Sequence, residues 1–282
     1  MSPTRSRERR TPVRGRRAST RALTGAGALG LLALTATACS SDSEAARLGM
    51  PEPISDQAER MLTLWQGSWI AAFAVGGVVW GLIIWAVLFH RRRSDDLPPQ
   101  VRYNMPIEIL YTAVPFVIIG VLFYFTARDE TYVEKTTANP AVTVDVTGFQ
   151  WSWQFDYREK DASGRERTVA SEVGTPVDPN ATTGAKPVLT IPVDRTVRIR
   201  LHANDVIHSF WVPALLYKKD VMPGYINEFE FTARKTGTYE GRCAELCGVD
   251  HSRMLFQLKV VPQAEYDRYI AAAKARATGG AQ

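Results

Sequence analysis

The sequence has 282 residues, 45% of them hydrophobic and 22% charged, with three cysteines and a formal charge of +5. Residues 1–38 hold eight arginines and one glutamate. The rest of the chain therefore carries roughly five minus seven, or −2, and the basic pI is no argument for nucleic-acid binding.

An arginine-rich start is followed by an apolar run from Ala22 to Ala38 that ends Ala36-Thr37-Ala38-Cys39. A basic region, a short apolar stretch and small residues before a cleavage point make a secretory signal rather than a spanning helix. The cysteine directly after the small residues predicts a lipoprotein signal over 1–38, with Cys39 lipidated, and an N-terminal segment over 39–60. No charged residue occurs from Met61 to Phe89, which is long enough to cross a hydrocarbon core of about 30 Å. Tryptophans near its ends suit the membrane interface. Gly76, Gly77 and Gly81 would admit a close partner helix. Arg91-Arg92-Arg93 then marks the cytoplasmic side, which puts the N-terminus outside. A second apolar run, Ile109–Ala127, returns the chain, so a transmembrane hairpin is expected over 61–130. Glu108 lies at the cytoplasmic edge of this second span, where an ionisable group is a functional candidate and also a plain helix-dipole partner.

Beyond Thr131 short β-branched runs recur between turn residues: Val142–Thr147, Val188–Val193, Val197–Leu201, Glu228–Thr232 and Leu255–Val261. Such alternation predicts an antiparallel sandwich or barrel over 131–263, on the extracytoplasmic side. Lys160–Lys186, rich in Gly, Pro, Ser and Thr, reads as a loop insertion. The tail, 264–282, reads as a short helix over Ala264–Arg276 and then a disordered end. From Arg128 to Gln282 basic and acidic residues balance at twenty each, so the domain as a whole supplies little steering field.

Two stretches of this domain stand out. Gly148–Tyr157 carries five aromatic residues in ten, the composition of packed core or of a contact surface. Trp151 and Trp153, two apart, would face one side of a strand. The second stretch is Cys243-Ala244-Glu245-Leu246-Cys247-Gly248-Val249-Asp250-His251-Ser252-Arg253-Met254. With His208 upstream it offers thiols, imidazoles and a thioether, soft-to-borderline donors that favour copper over magnesium or calcium. A mononuclear blue-copper site needs one cysteine, so a second thiol argues for two copper ions bridged by both. A Cys243–Cys247 disulfide and a structural zinc site are the alternatives. The disulfide would close too short a loop to add much stability. Zinc seldom takes methionine, and the spacing is not C-x2-C.

The pattern Cys-x-Glu-x-Cys-x3-His-x2-Met, preceded by Asp205-Val206-Ile207-His208-Ser209-Phe210, resembles the dinuclear copper A centre of cytochrome c oxidase subunit II. The resemblance runs from about Trp65 to about Pro262. It implies a two-helix transmembrane hairpin followed by an all-β cupredoxin-like Greek-key barrel. It implies copper ligands His208, Cys243, Cys247, His251 and Met254 with the main-chain carbonyl of Glu245, and a magnesium or manganese ion shared with subunit I through the Glu245 side chain. By the same resemblance Trp151 is where electrons enter and Glu108 the entrance to a proton channel. Lys218 and Asp220 would run along subunit I near its haem propionates. The implied partners are oxidase subunits I and III, a cytochrome c donor (soluble or held in a cytochrome bc supercomplex) and membrane lipid. The haems belong to subunit I. The family's histidine after the glycine is Phe149 here, and His202 has no matched role. Asp205 is a candidate to hold the tautomer of His208. A nitrous oxide reductase shares the copper centre but needs a large catalytic domain. A quinol oxidase subunit shares the hairpin and barrel but lacks the copper ligands. A membrane-anchored copper carrier would share the site without the subunit I-facing residues.

Overall fold

The computed structural model of the chain describes residues 43–93, 95–97, 99–175 and 186–279. The signal segment and Cys39 lie outside the described residues. Residues 43–49 form a short run of turns, a unit separate from 50–282.

Helix α1 spans Asp56–Phe89 and helix α2 spans Met105–Val133. Both are long and apolar enough to cross a membrane. Each starts on a side-chain cap, which satisfies a backbone donor that the first turn leaves free. Ser55 Oγ accepts from the Ala58 amide at 3.1 Å. Asn104 Oδ1 accepts from Ile107 at 3.4 Å, while the Asn104 amide donates to Glu108 Oε1 at 2.8 Å. α2 runs six residues past the expected apolar end at Ala127, because its last turns pack on α1: buried Asp129 takes Arg60 at 3.1 Å and Arg128 at 3.0 Å. The β domain thus starts later than the expected residue 131, after a short link from Glu134.

Ten strands follow: β1 (Val142–Phe149), β2 (Ser152–Lys160), β3 (Glu166–Val173), β4 (Val188–Pro192), β5 (Thr196–Ala203), β6 (His208–Val212), β7 (Tyr217–Val221), β8 (Asn227–Thr232), β9 (Gly237–Cys243) and β10 (Leu255–Val261). They form two five-stranded sheets, ordered β3-β2-β1-β5-β8 and β4-β10-β9-β6-β7. The expected two helices and β-sandwich are present, with two differences. β1 pairs with β5, and β4 with β10, in parallel, so the sheets are mixed rather than antiparallel. The expected loop insertion contains strand β3, which pairs along β2 through a bulge at Tyr157/Arg158. Only Ala170 of β3 is buried, so this edge strand lacks the alternation that would reveal it.

Between the sheets lie Trp153, Phe155 and Tyr157 of β2, Phe210 of β6, Phe229 and Phe231 of β8, and Phe256 and Leu258 of β10. Full burial of each such side chain contributes roughly 1.5–3 kcal/mol. Phe256 stacks on Phe210 at 4.8 Å and lies across β9 at Gly241, where a Cβ would meet its ring at 2.2 Å. Helix α3 (Gln263–Gly279) is longer than the expected Ala264–Arg276 and sets Tyr266 and Tyr269 against Tyr157. At the helix end of the domain Ile54, 2% exposed, is held between two segments: its amide donates to Ala214 O in the 3-10 turn after β6, and its carbonyl accepts from the Arg234 amide just past β8. Arg234 also takes both oxygens of Asp56, at 2.7 and 2.6 Å.

Candidate metal centre

Three pieces of chain converge at one end of the sandwich: the start of β6, the end of β9 with its following loop, and the 3-10 turn His251–Arg253 before β10. Cross-strand pairing of Phe210 with Cys243 sets β6 beside β9 and so puts His208 near the first thiol. The amide of Cys243 donates to Met254 O at 3.0 Å, and the Ala244 amide to Ser209 O at 3.0 Å. The intervening loop is thereby folded back over the site.

The donor atoms line up in a chain. His208 Nδ1 is 3.9 Å from Cys243 Sγ, the two Sγ atoms are 3.9 Å apart, and Cys247 Sγ is 3.6 Å from His251 Nδ1. Glu245 O lies 3.2 Å from Cys243 Sγ and Met254 Sδ 3.8 Å from Cys247 Sγ. Both thiols are free, so the disulfide alternative does not describe this site. The donors of His208, Cys243 and Cys247 sit within 4.8 Å of one another. His208 and Met254 are fully buried, and the two cysteines are 5% and 4% exposed.

Six donors are too many for one tetrahedral zinc ion. They suit two ions that share both thiolates, each with its own imidazole and one weak ligand, thioether or carbonyl. The donor set therefore fits a copper pair. The charges favour it too. Burial pushes the Cys243 thiol up, but contacts with His208 and with the backbone at Glu245 and Ser209 prevail and bring it down to about 7. Burial and the adjacent Cys243 charge push Cys247 up to about 12. Two buried thiols this close resist ionising together, and a cation held between them relieves that repulsion.

Asp205 orders the surroundings. Its Oδ1 is 2.8 Å from His208 Nε2 and accepts from the Val206 amide, and its Oδ2 accepts from the Gln150 amide at 2.7 Å. Burial would raise its pKa, but these bonds hold the carboxyl below the usual carboxylate range. Because His208 turns Nδ1 to the thiol and Nε2 to Asp205, one tautomer is selected.

Trp151 occupies the two-residue turn between β1 and β2, set by the pairing of Phe149 with Ser152. Strand alternation therefore does not relate it to Trp153, contrary to the expectation. Both indoles still reach the site from different depths. Half-buried Trp151 donates Nε1–H to Cys247 O at 3.2 Å, and fully buried Trp153 donates to Met254 O at 3.4 Å. Gln150, not singled out in the sequence, donates its side-chain amide to the same Cys247 carbonyl at 2.8 Å. Two glycines make room: a Cβ on Gly148 would lie 3.1 Å from the His208 ring, and one on Gly248 (φ +128°) 3.0 Å from Trp151.

The remaining candidates lie apart from the donors. The Glu245 side chain is exposed, while its carbonyl faces inward. Lys218 and Asp220 are exposed on β7, an edge strand. Glu108 caps the start of α2, at the far end of the hairpin. His202 Nε2 is buried without a hydrogen bond, 3.8 Å from Asp145, which is engaged by Arg158 and Arg200.

Residues 142–261 match the family described as cytochrome C oxidase subunit II, periplasmic domain. The chain is 48% identical over 296 residues to a probable cytochrome c oxidase subunit 2 of Streptomyces avermitilis, covering 96% of this chain and 91% of the relative. It is 37% identical over 304 residues to the cytochrome c oxidase subunit 2 of Mycobacterium tuberculosis, covering 92% and 82%. Among solved structures, the periplasmic domain of subunit II of cytochrome oxidase from Bradyrhizobium japonicum is 32% identical. It covers 50% of this chain and 99% of that one, with a TM-score of 0.41.

Proposed function

Because the chain belongs to the cytochrome c oxidase subunit II family, we propose that it is the electron-accepting subunit of an aerobic respiratory oxidase, holding a copper A pair. The observation that carries this reading is the convergence of six donors, two of them thiols 3.9 Å apart. Electrons from cytochrome c would reach haem in subunit I, where oxygen is reduced to water with proton translocation. A copper pair held by Cys243, Cys247, His208, His251, Met254 and the Glu245 carbonyl would supply a one-electron relay there.

The chain's own residues supply the rest. Enclosure of the thiols and of His208 excludes water and holds the donors in place, which keeps reorganisation small. Asp205 fixes the His208 ring through the nitrogen that faces away from the thiol. Trp151 offers an aromatic face at the surface, one hydrogen bond from the backbone of Cys247. That is a short route inward and supports its role as the point where electrons arrive. The exposed carboxylate of Glu245 is an oxygen ligand suited to a hard cation, magnesium or manganese, shared with subunit I. Lys218 and Asp220 would face that subunit near the haem propionates, and subunit III completes the assembly. Glu108 is the proposed entrance to a proton channel, although its bond to the Asn104 amide also makes it a cap.

In the membrane the N-terminus and the β domain would be extracytoplasmic, with Arg91–Arg93 on the cytoplasmic side and Cys39 lipidated after removal of residues 1–38. The donor would be a cytochrome c, soluble or held in a cytochrome bc supercomplex. Stopped-flow reduction by reduced cytochrome c tests the reading. A Trp151→Gln oxidase with full copper content should be reduced severely more slowly, with donor affinity changed much less. A normal rate would contradict the role of Trp151.

A further inference from the structure

We propose that the polar groove between α1 and α2, at their β-domain end, binds the headgroup of one zwitterionic aminophospholipid, its phosphate on Arg60 and Arg128 and its ammonium on Glu59. The groove has a volume of about 530 Å³ and is lined by Asp56, Glu59, Arg60, Thr63, Arg128, Asp129 and Tyr132. The inference rests on the membrane reading of the two helices.

Depth comes first. Arg60 immediately precedes the uncharged stretch that starts at Met61, and Arg128 immediately follows the apolar run that ends at Ala127. Both guanidiniums therefore sit at headgroup level when the apolar runs fill the hydrocarbon. The two cations are also held ready. Asp129, 3% exposed, receives Arg60 Nη1 and Arg128 Nε and Nη2 on a single oxygen. Tyr132 lies under the Arg60 guanidinium at 3.9 Å and Phe125 under that of Arg128 at 4.9 Å. A guanidinium carries five N–H donors, so most of those on this pair remain for another acceptor. Their side chains are 42% and 48% exposed. Planar forks brought together in this way match the geometry of a phosphate.

Charge selects the kind of lipid. Arg60 and Arg128 against Asp129 leave one positive charge, which suits a phosphodiester. Asp56 is already satisfied by Arg234. Glu59 is exposed, and among the described residues its carboxylate takes no hydrogen bond or ion pair. It leaves one negative charge one residue from Arg60. A phosphate and an ammonium on the same headgroup complement both, whereas an anionic headgroup would meet Glu59 unpaired.

The test uses the full chain in its purified oxidase. The complex is washed in mild detergent, equilibrated with mixed micelles of equal phosphatidylethanolamine and phosphatidylglycerol, and its retained lipid is quantified by mass spectrometry. Wild type should retain phosphatidylethanolamine several-fold over phosphatidylglycerol. Glu59→Gln should bring that ratio to parity or reverse it, and Arg128→Gln should lose both lipids. Arg128→Gln also strips a partner from buried Asp129, so Glu59→Gln, at an exposed side chain, decides. Inorganic phosphate alone should displace nothing. A wild-type ratio near one, a Glu59→Gln ratio unchanged from wild type, or displacement by phosphate overturns the proposal. A chain that leaves the membrane without detergent contradicts the membrane reading itself.

Discussion

Around the donor cluster the chain encloses almost everything it uses. His208 and Met254 have no exposed surface, and Trp153, which packs on the His208 ring and on Phe210 and Phe256, is fully buried as well. Along α1 and α2 the relation is reversed: the most apolar 18-residue window of each helix has no buried residue at all, and the pair is joined by Arg60 and Asp129 at one end. The first region is finished by this polypeptide. The second leaves its side chains for lipid and for other subunits to cover. Substitutions in the first should be read out in the chain itself, and those in the second in its company.

The largest effect expected is at Cys247. If Cys247 is one of two thiolates shared by a copper pair, Cys247→Ser should abolish the dinuclear absorption and EPR spectrum while far-UV circular dichroism persists. A retained spectrum would remove Cys247 from the ligand set. Next in size is Gly241→Ala, which drives a Cβ to 2.2 Å from the Phe256 ring. In a close-packed core this should cost about 1–3 kcal/mol, visible in thermal unfolding of the purified protein.

Gly77→Ala in α1 is the counterpart, since a Cβ there meets nothing within 4 Å. It should leave the chain's own stability unchanged or raise it by up to about 1 kcal/mol. If a partner helix packs at this glycine, the same change lowers recovery of the other subunits on purification. Equal effects of Gly241→Ala and Gly77→Ala on unfolding would break the contrast between the two regions.

The smallest effect concerns Glu134, which links the end of α2 to β7. Burial raises the pKa of this carboxyl, but its bonds with Lys219 and Tyr217 prevail and hold it below the ordinary 4.5. A carboxyl with a depressed folded pKa contributes stability that is present above the unfolded value and lost as pH falls through the folded one. Wild type should therefore exceed Glu134→Gln in stability at neutral pH, by less than about 1 kcal/mol for so exposed a pair. The two should converge in acid below 4.5. A gap that widens in acid would contradict the assignment.

What the sequence made legible follows from how local each feature is. The cysteines, His251 and Met254 fall within twelve residues and Asp205 stands three before His208, so these two local clusters are visible in the sequence, while the resemblance to the subunit II family is what joins His208 and the Glu245 carbonyl to the cysteines. Gln150 reaches Cys247 from 97 residues away, and no local pattern marks it. The five strands foreseen by alternation, β1, β4, β5, β8 and β10, all bury β-branched or aromatic positions; β2 and β6 do so too, but their sequences stand out by aromatic content and by His208 rather than by alternation. β3 and β7 are edge strands with polar sequences, and β9 opens on Gly237 and carries Gly241 where Phe256 crosses it; none has the alternation that betrays a half-buried strand. Parallel pairing of β1 with β5 is set by packing between distant segments. The two-residue spacing of Trp151 and Trp153 suggests one strand face, whereas the turn that holds Trp151 depends on the register of Phe149 with Ser152.

The central claim is that two copper ions share the Cys243 and Cys247 thiolates. Metal analysis with EPR on the purified oxidized complex tests it most directly, after subtraction of the metals held by other subunits. The account predicts two copper ions per copy of this chain and a hyperfine pattern from one unpaired electron shared equally between two copper nuclei. One copper per chain, zinc in its place, or a spectrum confined to a single nucleus would contradict it.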